Sequence, residues 1–159
     1  MKRCIELATE QSQERKQFGR PISEYGLIKE KIAQMTIDCF AAESVVWMVA
    51  SYIDAGSEDC STEAAISKVF SSEAMGRAAY EAQQIAAGTG YMRELPYERI
   101  VRDSRILTIF EGTSEILRLY IALAGLKDAG QHLESIRSAV DDIFNSPIKG
   151  FGILGGYAG

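Results

Sequence analysis

Apolar positions recur at helical spacing along almost the whole chain, and no stretch shows the strict alternation of a strand. Residues 1–16 lack glycine and proline and are rich in Glu, Gln, Lys and Arg, so they read as a first helix, interrupted by Gly19 and Pro21. From Tyr25 to about Asp54 the pattern is clearest. Ile28, Ile32, Met35, Cys39, Ala42, Val46, Val49 and Ile53 alternate steps of four and three, the spacing of a helix–helix seam. Ala55-Gly56-Ser57 ends that helix, since glycine suits the left-handed cap. Ser61 or Thr62 is placed to cap a helix over roughly 62–87, with Glu63 near its amino end. The seam of this helix is small: Ala65, Val69, Ser72, Gly76, Ala79 and Gln83. Small side chains let a neighbouring backbone come close.

Gly88-Thr89-Gly90 breaks the pattern and Pro96 marks a second boundary, with a short helix following through Arg102. After Glu111-Gly112-Thr113-Ser114 another helix is expected to about Lys127, packing through Ile116, Leu119, Tyr120 and Leu123. A weaker helix, roughly 131–144, precedes Pro147, and the tail from Lys149 holds five glycines in eleven residues and is expected to be loose. Three long amphipathic segments and a first helix, joined by short loops, predict an all-α fold, an antiparallel four-helix bundle.

Composition narrows the function. A length of 159 residues fits one domain, and 47% hydrophobic with 25% charged residues is the balance of a folded chain. The net charge of −5 leaves no basic excess to neutralise phosphates, which argues against nucleic acid as a partner. Cys4, Cys39 and Cys60 are scattered and odd in number, and His132 is the lone histidine, so neither a disulfide framework nor a metal site is expected. No uninterrupted apolar run reaches the roughly 18 residues of a membrane span. Met1-Lys2-Arg3 leads directly into a helical pattern and does not read as a signal peptide.

Few residues offer chemistry. Glu111 lies between Ile106, Leu107, Ile109 and Phe110 and a Gly-Thr-Ser turn that opens a helix. A carboxylate beside an apolar wall loses water and becomes a stronger base. Gly112 removes a side chain where a substrate needs close approach. A negative charge just before a helix start is favourable in any case, so both readings stand. Gly88-Thr89-Gly90 follows a helix rather than a strand and lacks any dinucleotide or phosphate-loop fingerprint. Arg99, Arg102, Asp103 and Arg105 read as a surface ion-pair network or an anion site, and Arg15 with Lys16 and Arg20 as a solvated helix end or a pyrophosphate site.

Three motifs in order, Arg15-Lys16-Gln17-Phe18-Gly19, Gln84-Ile85-Ala86-Ala87-Gly88-Thr89-Gly90-Tyr91 and Ile109-Phe110-Glu111-Gly112-Thr113, resemble those of the acyl-CoA dehydrogenases. The resemblance covers about residues 1–130, the carboxy-terminal helical bundle of that family, and leaves 131–159 as an additional helix and Gly-rich tail, read as the start of a carboxy-terminal extension. Ala87 departs from the pattern, standing where the family usually has glycine. Tyr25-Gly26-Leu27-Ile28-Lys29-Glu30-Lys31 and Glu63-Ala64-Ala65-Ile66-Ser67-Lys68 are similar to the very-long-chain branch and its family-member-nine relative.

The resemblance implies an FAD-dependent oxidation of a fatty acyl-CoA to a trans-2-enoyl-CoA. Glu111 is then the base that takes the α-proton, with Gly112 beside the substrate. Thr113, Ser114 and Glu115 resemble contacts to FAD. Arg15 and Phe18 are expected to reach an FAD bound mainly by a neighbouring subunit, and Gln84, Ile85, Ala86, Ala87 and Gly88 to contact that same FAD near its adenosine end. Implied partners are electron-transfer flavoprotein, the enzyme's own amino-terminal and β domains, and further copies as a dimer or tetramer, with the small seam of residues 65–79 also used between subunits. A fragment of this kind is expected to have no activity alone. An assembly role in a respiratory complex, with vestigial catalysis, is the alternative. Bacterial cytoplasm and mitochondrion are both compatible, the cytoplasm being preferred.

Overall fold

The computed structural model describes residues 1–145, with side chains described through residue 138. The chain divides into two compact units, the first Met1–Arg118 and the second beginning at Leu119. The fold is all-α, as expected. Its elements are α1 (Lys2–Glu14), a hairpin of β1 (Lys16–Gln17) and β2 (Arg20–Pro21), α2 (Gly26–Asp54), α3 (Ser61–Ala86), α4 (Gly88–Tyr91), α5 (Tyr97–Arg105) and α6 (Ser114–Asn145).

Within the first unit α3 is the central strut: α1, α2 and α5 all pack on it. Its inward face carries Ala74, Ala78, Ala79, Ala82 and Ala86, each 2% exposed or less. Alanine gives α3 both strong helix propensity and a shallow surface. Cys4, Leu7 and Ala8 of α1, Met35 of α2 and Tyr97 of α5 fill the space against it. Tyr97 carries a polar tip into this core, and its hydroxyl donates to the Leu7 carbonyl at 3.1 Å. The Asp38 carboxylate, on α2, accepts from Arg77 Nε and Nη2 on α3 at 3.2 and 3.1 Å and from Gln34 Nε2 at 2.8 Å. Lys31 pairs with Glu81. Rising numbers on α2 thus meet falling numbers on α3, so the two helices are antiparallel. Lys2 of α1 bonds Glu43 of α2 at 2.5 Å and the Met1 amino group lies 3.2 Å from the Met75 sulfur. At its other end α1 meets the segment leading into α2, where the Ile22 N–H donates to the Arg15 carbonyl at 2.9 Å, so α1 runs antiparallel to α2 and in the same direction as α3.

The structure departs from the sequence pattern in instructive ways. Met35, Cys39, Ala42 and Val49 of the expected α2 seam are buried, but Val46 and Ile53 are 52% and 60% exposed, as are Ile37, Phe40 and Trp47 at 59%, 73% and 73%. Helix α2 is in fact long and apolar enough to cross a membrane by length and composition. Its apolar residues divide between a face packed on α1 and α3 and an open one. The N-cap of α3 is Cys60, not Ser61 or Thr62, and it makes no side-chain cap bond; just before it, Asp59 Oδ1 accepts from the Ser61 N–H at 2.8 Å. Of the small seam, Ala65, Val69, Ser72 and Ala79 are buried inside the chain, while Gly76 is half-buried with open space where a Cβ would stand. The segment near Gly19 forms a two-residue hairpin in place of a plain break. Helix α6 runs unbroken from Ser114 to Asn145 through Gly125 and Gly130, where two helices were expected. The expected packing residues of α6, Ile116, Leu119, Tyr120 and Leu123, are 41–60% exposed. The Gly-rich tail from Lys149 lies outside the described residues.

Close approach at the α3 face makes a testable demand. Ala79 is 1% exposed in the main core, so Ala79→Leu must overpack it. A loss of about 1–3 kcal/mol is expected by urea unfolding, visible as a lower midpoint at unchanged slope.

Candidate active site

The hairpin shows how the first motif is displayed. Lys16 pairs with Pro21 and Gln17 with Arg20, leaving Phe18 and Gly19 as the turn. Their φ angles of 51° and 85° are those of the mirror-image turn that matches strand twist. The Tyr25 hydroxyl donates to the Gln17 carbonyl at 3.0 Å, and the Arg20 guanidinium stacks 4.2 Å over the Tyr25 ring. These contacts hold the hairpin while Phe18 projects, 93% exposed. Arg15 follows α1, half-buried and without an ion-pair partner among the described residues.

The second motif ends α3. Ala87 has φ 55° and ψ −139°, a conformation that glycine adopts freely and an L side chain resists. Glycine is required at position 90 as well: a Cβ there would sit 2.7 Å from the Ala86 Cβ and 2.8 Å from the Gln83 carbonyl oxygen. Gln83 Nε2 donates to the Gly90 carbonyl at 3.1 Å and the Thr89 hydroxyl to the Ala86 carbonyl at 2.7 Å, closing the short α4 turn. Ile85 and Ala86 are 2% and 0% exposed and belong to the core, so as side chains they are unavailable to a ligand. Gln84, Ala87 and Gly88 are the exposed members.

Glu111 follows a single 3₁₀ turn, Ile106–Thr108, and is also left-handed, with φ 53°; Gly112 follows at φ 92°. A Cβ on Gly112 would meet the Leu117 side chain at 3.2 Å, so glycine both permits the turn and lets it sit against α6. The Glu111 side chain is exposed, contrary to the desolvation expected of it, because its neighbours Ile106, Ile109 and Phe110 are themselves 44–49% exposed. The apolar residues of the expected wall are present, but none of the described residues closes over them. Sequence reasoning missed one residue here. Lys68, on α3, donates from Nζ to the Gly112 carbonyl at 2.6 Å. A lysine on an otherwise small face, between Ala65 and Ser72, was the available signal. Thr113 caps α6, its Oγ1 accepting from the Ile116 N–H at 3.4 Å. Glu115, fully exposed, is held below the usual carboxylate range by its own backbone N–H and then by the Thr113 hydroxyl. Ser114 is buried and its hydroxyl has no hydrogen-bond partner among the described residues.

The predicted residues therefore fall into two groups. Glu111 to Glu115 stand beside Lys68 in the first half of α3. Gln84, Ala87 and Gly88 stand at its end, and α1, parallel to α3, carries Arg15 and Phe18 toward that same end. Sixteen residues of helix separate Lys68 from Gln84, a rise of roughly 24 Å. The stretch Arg99 to Arg105 holds surface ion pairs, Arg99–Asp103 at 3.3 Å and Arg102–Glu98 at 3.7 Å.

The first unit is thus an all-α fold with two exposed loop motifs, one beside Lys68 and one at the end of α3. The profile described as "Acyl-CoA dehydrogenase, C-terminal domain" matches residues 1–126. The chain belongs to the acyl-CoA dehydrogenase family and is a carboxy-terminal domain of it. It is 43% identical to the very long-chain specific acyl-CoA dehydrogenases, mitochondrial, of Bos taurus and Homo sapiens, over 100% of this chain and 24% of each relative. A probable acyl-CoA dehydrogenase of Bacillus subtilis is 43% identical over 73% of this chain and 30% of its own length. Butyryl-CoA dehydrogenase from Megasphaera elsdenii superposes with a TM-score of 0.75 at 34% identity, covering 79% of this chain and 32% of that one. An acyl-CoA dehydrogenase complexed with FAD from Bacillus anthracis gives 0.76 at 31% identity, over 90% and 28%. This chain spans about a quarter of the length of the very-long-chain relatives.

The conformation of Ala87 predicts that Ala87→Gly raises stability, by about 1 kcal/mol, read as a higher thermal midpoint. Gly90→Ala is expected to lower it. An Ala87→Gly midpoint at or below that of the parent would remove the strain argument.

Proposed function

We propose that this chain is the carboxy-terminal domain of an FAD-dependent enzyme that oxidises a fatty acyl-CoA to its trans-2-enoyl-CoA, with Glu111 as the base. The observation that carries this reading is Glu111 held in a left-handed turn, followed by a glycine, and flanked by an uncovered apolar wall. A left-handed glutamate is costly and persists where its surroundings hold it. It aims a carboxylate outward at a surface suited to an acyl chain.

The residues present fit a flavin dinucleotide. Arg15 offers a guanidinium with no competing carboxylate among the described residues, Phe18 an exposed aromatic ring, and Ser114 a buried, unpartnered hydroxyl. Gln84 and the turn at Ala87 and Gly88 stand at the Arg15 end, with Thr113 and Glu115 at the Glu111 end. When bound, FAD accepts the β-hydrogen together with its electron pair. The chain's own part is to hold a carboxylate at the α-carbon so that its oxygen takes the α-proton. Gly112, lacking a side chain, leaves room for the thioester.

The separation between the two residue groups supports an oligomer. Glu111 and its neighbours serve the reacting end of one cofactor, while Arg15, Phe18 and Gln84 reach the cofactor of another copy. The open apolar face of α2, with Phe40 and Trp47 each 73% exposed, is surface for the remaining domains and copies to cover. Fatty acyl-CoA is the substrate class and electron-transfer flavoprotein the electron acceptor in this reading. Residues past 126 match the very-long-chain relatives but lie beyond the family profile, which supports reading the segment after about 130 as the start of an extension.

In the complete enzyme, Glu111→Gln is expected to cut dehydrogenation by roughly 100- to 10,000-fold while flavin absorbance and thermal midpoint stay unchanged. Retention of most activity would remove Glu111 from its role. The chain alone, given FAD and acyl-CoA, is expected to form no enoyl-CoA, because flavin and water exclusion both require the rest of the enzyme; detectable product by chromatography contradicts this.

A further inference from the structure

Lys68 spends a charged group on a main-chain oxygen. Its ammonium bonds the Gly112 carbonyl at 2.6 Å, across 44 residues of sequence. The side chain is half-buried and no carboxylate lies within ion-pair distance of it among the described residues. A lysine that only needed solubility or a surface ion pair would extend into water or toward an acid. Here the charge is directed at the one carbonyl that closes two consecutive left-handed residues, Glu111 and Gly112. Hydrogen bonds from a charged donor are stronger than neutral ones, and partial burial shields this one from water.

The support beneath Lys68 is rigid. Ala65, Ser67, Val69 and Ser72 around it on α3 are buried. One further bond ties the same region to α3, Arg118 to Glu73 at 2.7 Å, but the Arg118 side chain is 62% exposed, so it is a weaker constraint. The Gly112 turn also lies close to Leu117, whose side chain a Cβ at position 112 would meet at 3.2 Å. The turn is therefore held at its carbonyl by a lysine from α3 and lies close to a leucine of α6, while the Glu111 side chain is exposed.

We propose that Lys68 is a positioning residue for acyl-CoA oxidation: its bond to the Gly112 carbonyl sets the direction of the Glu111 carboxylate. This rests on the reading of Glu111 as the base. Lysine acts through the backbone and touches neither substrate nor flavin. Losing the bond lets the turn relax toward ordinary φ values and moves the carboxylate off the α-carbon, which costs rate rather than substrate affinity.

The test uses the complete flavoprotein with Lys68→Met, which keeps length and removes the donor, and Lys68→Arg, which restores a charged donor. For Lys68→Met the expected result is a fall in kcat of about 10- to 100-fold, KM within threefold, and full FAD content. Hydrogen exchange should quicken in the peptide spanning 109–114 and stay unchanged in α1. Lys68→Arg should recover most of kcat. A kcat within twofold of the parent, unaltered exchange at 109–114, or a loss that tracks FAD release or a lowered thermal midpoint overturns the proposal. Glu111→Gln is measured in parallel. If it stays active while Lys68→Met still loosens the turn, the base assignment has failed and the clamp has not.

Discussion

Close packing on the alanine face of α3 is the constraint on which the rest of the first unit depends. Alanines at 74, 78, 79, 82 and 86 leave almost no side-chain bulk between α3 and its neighbours, so α1, α2 and α5 settle directly against its backbone. That contact does more than stabilise. A continuous helix of 26 residues is a ruler, and at roughly 1.5 Å per residue it fixes how far apart its two ends lie. Both motif groups hang on that ruler, one beside Lys68 and the other at Ala87. Their separation is a property of the core, and the proposed division between two cofactors rests on it.

Strain is concentrated where chemistry is proposed. Among the described residues three non-glycine positions have positive φ: Phe18, Ala87 and Glu111. Each falls in a different one of the three motifs, and each is over-determined by its surroundings. Tyr25 and Arg20 brace the hairpin under Phe18. Gly90, pressed against Ala86, and Gln83 brace the turn at Ala87. Lys68 and Leu117 brace Glu111. A strained backbone persists only with such support. Ala87 differs from the other two: a glycine would satisfy the same geometry with less strain, whereas Phe18 and Glu111 carry the side chains to which the proposed function gives a role.

Helices and much of the core were legible because periodicity states which residues share a face. Met35, Cys39 and Ala42 lie buried on the face that their spacing marks. Periodicity does not state what covers a face, and so Val46, Ile53, Ile116 and Leu123 share the pattern of core residues and remain exposed. Glycine inside a helix costs only about 1 kcal/mol relative to alanine, too little at Gly125 and Gly130 to stop α6. Motif resemblance located the loops but could not say which atoms they present. Ile85 and Ala86 sit inside a motif and yet serve the core, while Lys68 lies outside the three motifs and holds the Glu111 turn. A carbonyl acceptor leaves no trace in the identity of the residue that owns it.

The exposure of Glu111 bears on how such a domain acquires activity. A carboxylate in contact with water is well solvated and a weak base toward a C–H bond, and withdrawing that water strengthens it. The surfaces needed to withdraw it are already in place, since Ile106, Ile109 and Phe110 form an apolar wall nearly half open to solvent. In the proposed reading, covering that wall with an acyl chain and the flavin-bearing parts of the enzyme removes apolar area from water and dries the carboxylate in one step. On that reading the hydrophobic gain of assembly offsets the cost of desolvating the charge. The turn must then be rigid before it is covered, because a mobile glutamate would turn toward the remaining water. A clamp on the Gly112 carbonyl, drawn from the most deeply anchored helix of the unit, meets that requirement.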